Sequence, residues 1–279
     1  MAAISWLGVD DLAGRVPTGA SVTVQKGDER DVPMALAHAL VRRGVRGLHL
    51  VTLPTAAYPV SGMMVDLLIG AGCVDSVETS GISLHELGAA PRFVQAVKAG
   101  RLKVIDATCP AVYAGLQAGA KGQPFAPLRG LIGSDLLRHR ADYRVIDNPY
   151  APGDRIVVVP AINADVAIFH AAKADDEGNV WIGRDRDRLL AAHAAQCVLV
   201  TVDARVPGCF FDDEASAAGV IAANHIDGIA VVPGGGVPLT ATGQVDLAAV
   251  RRYQRAALDD AAFAEYLRRE VFARDGQPA

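Results

Sequence analysis

Four stretches of this 279-residue sequence carry residues whose types and spacing could do chemistry. The first is the loop Gln25 to Asp31, reading QKGDERD directly after the apolar alternation SVTV. A glycine just past a strand lets backbone N–H groups approach a ligand, and the N-terminus of a following helix favours a negative group there. The stretch contains neither GxGxxG nor GxxxxGK[ST], so it has no nucleotide-binding signature. A solvated loop whose Asp28, Glu29 and Asp31 complement the helix dipole is the other reading, and residue chemistry alone favours it.

The second stretch, residues 160 to 183, reads as two strands around the polar turn DDEGN, which places His170, Lys173 and Asp175 near the carboxyl end of a buried strand. An ordinary hairpin with turn-forming residues explains the same pattern. The third, VVPGGGVPLTATG at 231 to 243, has Gly234, Gly235 and Gly236 in a row, as a chain needs when it passes close to a ligand or to another backbone. It would serve equally as a flexible connector. The fourth, residues 122 to 140, holds Arg129, Arg138, His139 and Arg140 in a region of little helical or strand period, a greeting for phosphates or carboxylates or simply a basic surface loop. Cys109 reads as a small buried hydrophobe, since no histidine lies close to it in sequence; a pocket-lining thiol is the alternative.

The elements that must position these residues alternate. Strands are expected at 21–24, 46–53, 74–81, 102–106, 154–160, 165–171 and 196–203, and helices at 33–44, 63–72, 91–100 and 111–122. Continuous β-branched runs suit strands covered on both faces, so the pattern predicts an α/β protein with an open, mostly parallel sheet, residues 1–279 forming one domain. From Asp246 to Arg274, Leu247, Val250, Tyr253, Leu258, Phe263, Tyr266, Leu267 and Val271 recur at helical spacing and predict a C-terminal helical segment packed on the body.

Composition narrows the classes of function. Half of the residues are hydrophobic (51%), enough for a large core, while a net charge of −4 supplies no basic field for a nucleic-acid partner. The four cysteines lack CxxC spacing, so neither a metal site nor a disulfide framework is expected. The first residues lack a basic, then apolar leader pattern and no apolar run reaches membrane-spanning length, which points to a cytoplasmic protein with no membrane partner.

Taken in order, VTVQKGDERDVPMALAHALVRRGVRGLHLVT, DLLIGAGCVDSVETSGISL, GLQAGAKGQPFAPLRGLIGSDLL, VPAINADVAIFHAAKADDEGNVWIG and VPGGGVPLTATG resemble the α (or A) chain of class I coenzyme A transferases, of the glutaconate CoA-transferase type. The most specific piece resembles that family's Pro-Ala-x-x-x-Asp-Val-Ala-x-x-His…Asp-x-x-Gly-Asn-Val. The resemblance implies an open α/β fold shared with ribose-phosphate and glucosamine-phosphate isomerases. It also implies a β-subunit partner in an αβ or α2β2 assembly, and CoA as a substrate with no further cofactor. In such enzymes a glutamate of the β chain attacks the acyl-CoA, so no catalytic nucleophile is expected in this chain. The substrate-facing set it implies here is Gln25, Lys26, Gly27, Ser80, Gly81, Cys109, His170, Gly234 and Gly235.

Three places bear on that expectation. Thr79 stands where the β chain's glutamate would be, and a threonine cannot form a mixed anhydride; Glu78 is one place off, on the other face of an alternating strand. Gln25-Lys26-Gly27 replaces the family's usual Gly-Gly-Phe, adding a cation where substrate is chosen. In relatives resembling ring-opening CoA-thioester hydrolases an acidic residue stands near the position of Cys109. The expectations are therefore CoA transfer to a carboxylic acid, then thioester hydrolysis on the same fold, and third a non-catalytic phosphometabolite-binding relative.

Overall fold

The computed structural model describes residues 5–25, 31–238 and 244–273. In chain order its first half runs α1 (Val9–Gly14), β1 (Ser21–Gln25), α2 (Met34–Arg43), β2 (Leu48–Leu53), α3 (Pro59–Gly70), β3 (Val74–Thr79), α4 (Pro91–Lys98), β4 (Lys103–Asp106) and α5 (Cys109–Ala120). There follow β5 (Phe125–Leu128), α6 (Leu136–His139), β6 (Arg144–Asp147), β7 (Arg155–Pro160), β8 (Ala164–Asp175), β9 (Val180–Trp181), α7 (Arg186–Ala194), β10 (Ala195–Val206), α8 (Glu214–Ala217), β11 (Val220–Ile221), β12 (Gly228–Val231), α9 (Leu247–Ala256) and α10 (Asp260–Tyr266).

Local chemistry explains many of the boundaries. Prolines open α3 and α4, where a missing N–H costs nothing, and Gly44 closes α2 in the left-handed conformation (φ 72°). Asp185, Asp246 and Asp259 cap α7, α9 and α10 by accepting backbone N–H groups of the first turn.

Seven parallel strands lie in the order β12-β10-β8-β1-β2-β3-β4. Past Ile168, its last partner to β1, β8 runs on and pairs antiparallel with β9, which pairs with β11. Alternate side chains enter two cores. Val22, Val24, Leu50, Val166, Ile168 and Leu199 meet α1, α2, α3, α9 and α10, whereas Ala167, Phe169, Ala171, Val198 and Val200 meet α5 and α7. Burial on both faces is why these strands read as unbroken apolar runs. α3 is covered on every side, and a Cβ at Gly62 would collide with the Ser83 carbonyl, so that turn of helix admits only glycine.

The expected α/β fold, with its mostly parallel sheet and C-terminal helices, is present. Details differ, among them three. Residues 154–160 do not enter the main sheet: β7 forms the middle of a separate antiparallel sheet in the order β5-β7-β6, whose inner face (Val157, Val159) packs on Ala111 and Ala114 of α5. The stretch 122–140, with little visible period, contains β5 and α6, elements of four residues that are too short to show one. Among the C-terminal apolar residues Val250, Tyr253, Phe263 and Val271 are buried, but Leu258 falls in the turn between α9 and α10 and is exposed.

Candidate active site

Strand order reverses between β1 and β8: the chain builds outward through β2, β3 and β4 on one side and through β10 and β12 on the other. Open α/β sheets bind ligands outside the carboxyl ends of their strands at such a switch point. Gln25 ends β1 there, paired with Leu53 of β2. Lys26 and Gly27 lie outside the described residues.

The chain re-enters at Asp31, a buried carboxylate whose Oδ1 lies 2.9 Å from Nη1 of Arg188. Arg188 is also buried and ties three segments together. Its Nη1 donates to the carbonyl of His170 (2.9 Å), Nη2 to the carbonyl of Ile182 (2.9 Å), and Nε to the α7 cap Asp185 (3.1 Å). A guanidinium suits this junction because its planar fork carries five donors and keeps its charge when buried. No element is expected from the sequence over residues 184–195, and Arg188 there reads as one more polar residue; α7 itself emerges only in the structure.

His170 is 2% exposed. Its Nδ1 lies 2.8 Å from Thr201 Oγ1 and its Nε2 lies 3.2 Å from Asp203 Oδ1. Burial lowers its pKa below the ordinary histidine value, and the Asp203 carboxylate works against that shift. Gly234, at φ 71°, donates its N–H to the same Asp203 oxygen (2.7 Å). The Gly235 carbonyl accepts the N–H of Ala35 (2.9 Å), and a Cβ at Gly235 would stand 3.0 Å from His170 Cε1. The glycine run therefore lies against His170 because no side chain intervenes. His170, Gly234 and Gly235 thus come together, joined by Arg188, Thr201 and Asp203, which sequence reasoning passed over.

Ser80, Gly81 and Cys109 form a second group at the ends of β3 and β4. β3 lies three strand spacings from β8, roughly 14 Å. Thr79 Oγ1 accepts the Thr52 hydroxyl (2.8 Å) and donates to the Gly81 carbonyl (3.1 Å), which folds the chain back just past the strand. Ser80 Oγ donates to the Pro54 carbonyl (3.1 Å) and sits 3.8 Å from Cys109 Sγ. Cys109 is the first residue of α5 and is exposed rather than the buried hydrophobe its sequence suggests. It stands in the exposed first turn of a helix that begins two residues before the expected 111, just past the end of β4. Glu78 points away from this edge, its carboxylate buried 2.9 Å from Nη1 of Arg140.

The remaining candidates have structural partners. Lys173 Nζ lies between the Trp181 and Phe210 rings at 5.3 and 5.2 Å. Asp175 is fully buried and accepts N–H groups from Asn179 and Phe210, which shapes the hairpin turn. The basic stretch is not a surface loop throughout: Arg140 is buried between Glu78 and Asp142, while Arg129 and Arg138 pair with Asp154 and Asp135. Among the described residues no cluster of three or more His, Cys, Asp or Glu side chains could hold a metal ion, and no helix is long and apolar enough to cross a membrane.

A family model described as "Coenzyme A transferase" matches residues 9–231. The chain belongs to the coenzyme A transferase family. It is 34% identical over 179 residues to the A chain of 3-oxoadipate CoA-transferase from Pseudomonas knackmussii, covering 62% of this chain and 60% of that protein. To the A chain of glutaconate CoA-transferase from Acidaminococcus fermentans it is 31% identical (61% and 57% covered). To the cholesterol ring-cleaving hydrolase IpdA subunit of Rhodococcus jostii it is also 31% identical (62% and 58% covered). The matches span less than two thirds of these relatives' own length.

Solved structures match over nearly the whole chain. The crystal structure of a variant of the decarboxylase AibA/AibB superposes with a TM-score of 0.81 at 27% identity, covering 96% of this chain and all of that one. The crystal structure of glutaconate CoA-transferase from Acidaminococcus fermentans gives 0.84 at 23% identity, covering 97% and 90%, and shares the fold.

Proposed function

We propose that this chain is the α subunit of a heteromeric CoA transferase that moves CoA from an acyl-CoA to a carboxylic acid, working as one domain in the cytoplasm with a β subunit that supplies the nucleophilic glutamate. The observation that carries this reading is the end of β3. The position matching that glutamate is Thr79, whose hydroxyl is engaged by Thr52 and Gly81, and the adjacent Glu78 is committed to Arg140 inside the core. The likeness to two proteins named as A chains of CoA-transferases supports the same assignment.

In this reaction the partner's glutamate attacks the thioester carbonyl, giving an acyl-glutamyl anhydride and CoA thiolate. The thiolate then attacks the glutamyl carbonyl, which releases the first acid and leaves a glutamyl-CoA thioester. The acceptor carboxylate reverses both steps to leave as the new acyl-CoA. Division into such steps is covalent catalysis, and the oxyanion formed at each attack calls for N–H donors. By the resemblance to the family, Gln25-Lys26-Gly27 supplies part of the pocket, with Lys26 pairing with the carboxylate of the acid substrate. Ser80, Gly81 and Cys109 border it on the β3 side.

The test is co-expression with a β subunit encoded nearby, followed by an acyl-CoA plus acid exchange assay. Exchange should require both chains and an acceptor acid, and exchange by this chain alone would overturn the two-chain reading. Lys26→Ala should raise KM for the acid about tenfold, the scale of one lost charge-assisted hydrogen bond, with assembly intact. An unchanged KM removes Lys26 from substrate choice. The likeness to a protein named as part of a ring-cleaving hydrolase favours a second reading with water as acceptor. Free CoA released without any acceptor acid would identify it.

A further inference from the structure

Asp203 is the solvent-facing end of an otherwise buried polar string. Thr201 is fully buried and His170 nearly so, yet the Asp203 side chain is 47% exposed. Its Oδ1 faces two donors, Nε2 of His170 at 3.2 Å and the Gly234 N–H at 2.7 Å. A carboxylate only accepts, so Nε2 carries the hydrogen, and Nδ1 of the neutral ring accepts from the Thr201 hydroxyl at 2.8 Å. The ring is held further by Gly235 packed against it and by Arg188 on the His170 carbonyl. Packing alone does not call for a histidine here, since an apolar side chain would fill the site without desolvating a ring. What the histidine adds is a fixed direction for the carboxylate.

Asp203 stands on β10, on the same face as His170 and Thr201 and one strand beyond the switch point, toward the carboxyl end of the sheet. A fixed carboxylate there attracts N–H and O–H groups and repels phosphates and the carboxylate of an acid substrate. The pantetheine arm of an acyl-CoA offers two amide N–H groups and a hydroxyl, with no charge. We propose that Asp203 binds the pantetheine arm of the thioester substrate by accepting one of its N–H or O–H hydrogens, with His170 as the positioning residue that aims it. This rests on the CoA reading above.

The test uses the assembled two-chain complex with two substrates, acyl-CoA and the corresponding acyl-pantetheine, which lacks the nucleotide. Asp203→Ala should raise KM for both thioesters by a similar factor, about tenfold, with a smaller change in kcat and none in KM for the acid. His170→Leu should reproduce much of that rise. His170→Gln, whose Nε2–H can take the place of the imidazole N–H, should recover part of it. A penalty seen on acyl-CoA but absent on acyl-pantetheine would overturn the proposal by moving the contact to the nucleotide. Wild-type kinetics of Asp203→Ala at a lowered melting temperature would overturn it by reducing Asp203 to a latch for the glycine turn. If the wild-type complex neither turns over nor binds acyl-CoA in calorimetry, the CoA reading itself falls, an outcome distinct from an active wild type with an indifferent variant.

Discussion

Tyr253→Phe deletes one oxygen from a fully buried ring and should cost more at alkaline than at acid pH. The hydroxyl donates to Asp66 Oδ2 (2.7 Å), and the other carboxylate oxygen takes the Phe93 N–H (2.6 Å), so Asp66 of α3 caps α4 and fastens α9 at once. Asp66 is fully buried, and that desolvation raises its pKa above the ordinary carboxylate value against the hydrogen bonds that lower it. Removing the tyrosine donor leaves a buried carboxylate short of one partner, about 1.5–3 kcal/mol for a bond to a charged group. With about 2.1 cal/mol/K of unfolding entropy per residue over this chain, 1 kcal/mol corresponds to about 1.7 °C, so Tm should fall by about 3–5 °C near neutral pH. The pH dependence follows from the direction of the shift. A carboxyl with a raised folded pKa contributes stability that is complete below its unfolded pKa, near 4, and is lost as pH rises through the folded value. The substitution raises the folded value further, so its cost grows with pH. Thermal unfolding of both proteins at pH 4.5 and pH 8, with Asp66→Asn in a double-mutant cycle, measures this. A cost that is equal at the two pH values or larger at pH 4.5, or full additivity of the two substitutions, would refute the reasoning.

Two further outcomes follow from burial and charge. Arg140→Met leaves Glu78 as an unpaired buried carboxylate and should destabilise by about 3–5 kcal/mol in chemical denaturation, with the double variant Arg140→Met/Glu78→Gln recovering part of the loss; a double variant no more stable than the single refutes the pairing. Cys109 is exposed at a helix start, whereas burial pushes the Cys73 and Cys197 thiols up to about 11 and Glu177 raises that of Cys209. Iodoacetamide at pH 7.5 should therefore label Cys109 first, and peptide mass spectrometry showing Cys73 or Cys197 labelled first would contradict that accessibility.

Much of the fold was legible because it obeys short periods. The runs of β1, β8 and β10 announce strands covered on both faces, and Pro91 and Gly44 mark helix ends by backbone chemistry that needs no tertiary partner, whereas the expectation of a helix from residue 63 misses the first turn of α3, which opens at Pro59. The four-residue β5, β6 and α6 show no period of their own, and the apolar run of β7 marks a strand but carries no label for the sheet it joins.

For the candidate site, sequence alone determined the residue types available, namely the loop beginning at Gln25, the histidine of β8 and the glycine run at 234–236. Which of them meet was decided only in three dimensions. His170 and Asp203 are neighbours because parallel pairing of β8 with β10 sets Thr201 beside His170, and Asp31 meets Arg188 across 157 positions of chain because the sheet reverses its order between β1 and β8. Side-chain type is a local property and can be read along a chain, but the partner that orients a carboxylate or holds an arginine is set by strand register and order.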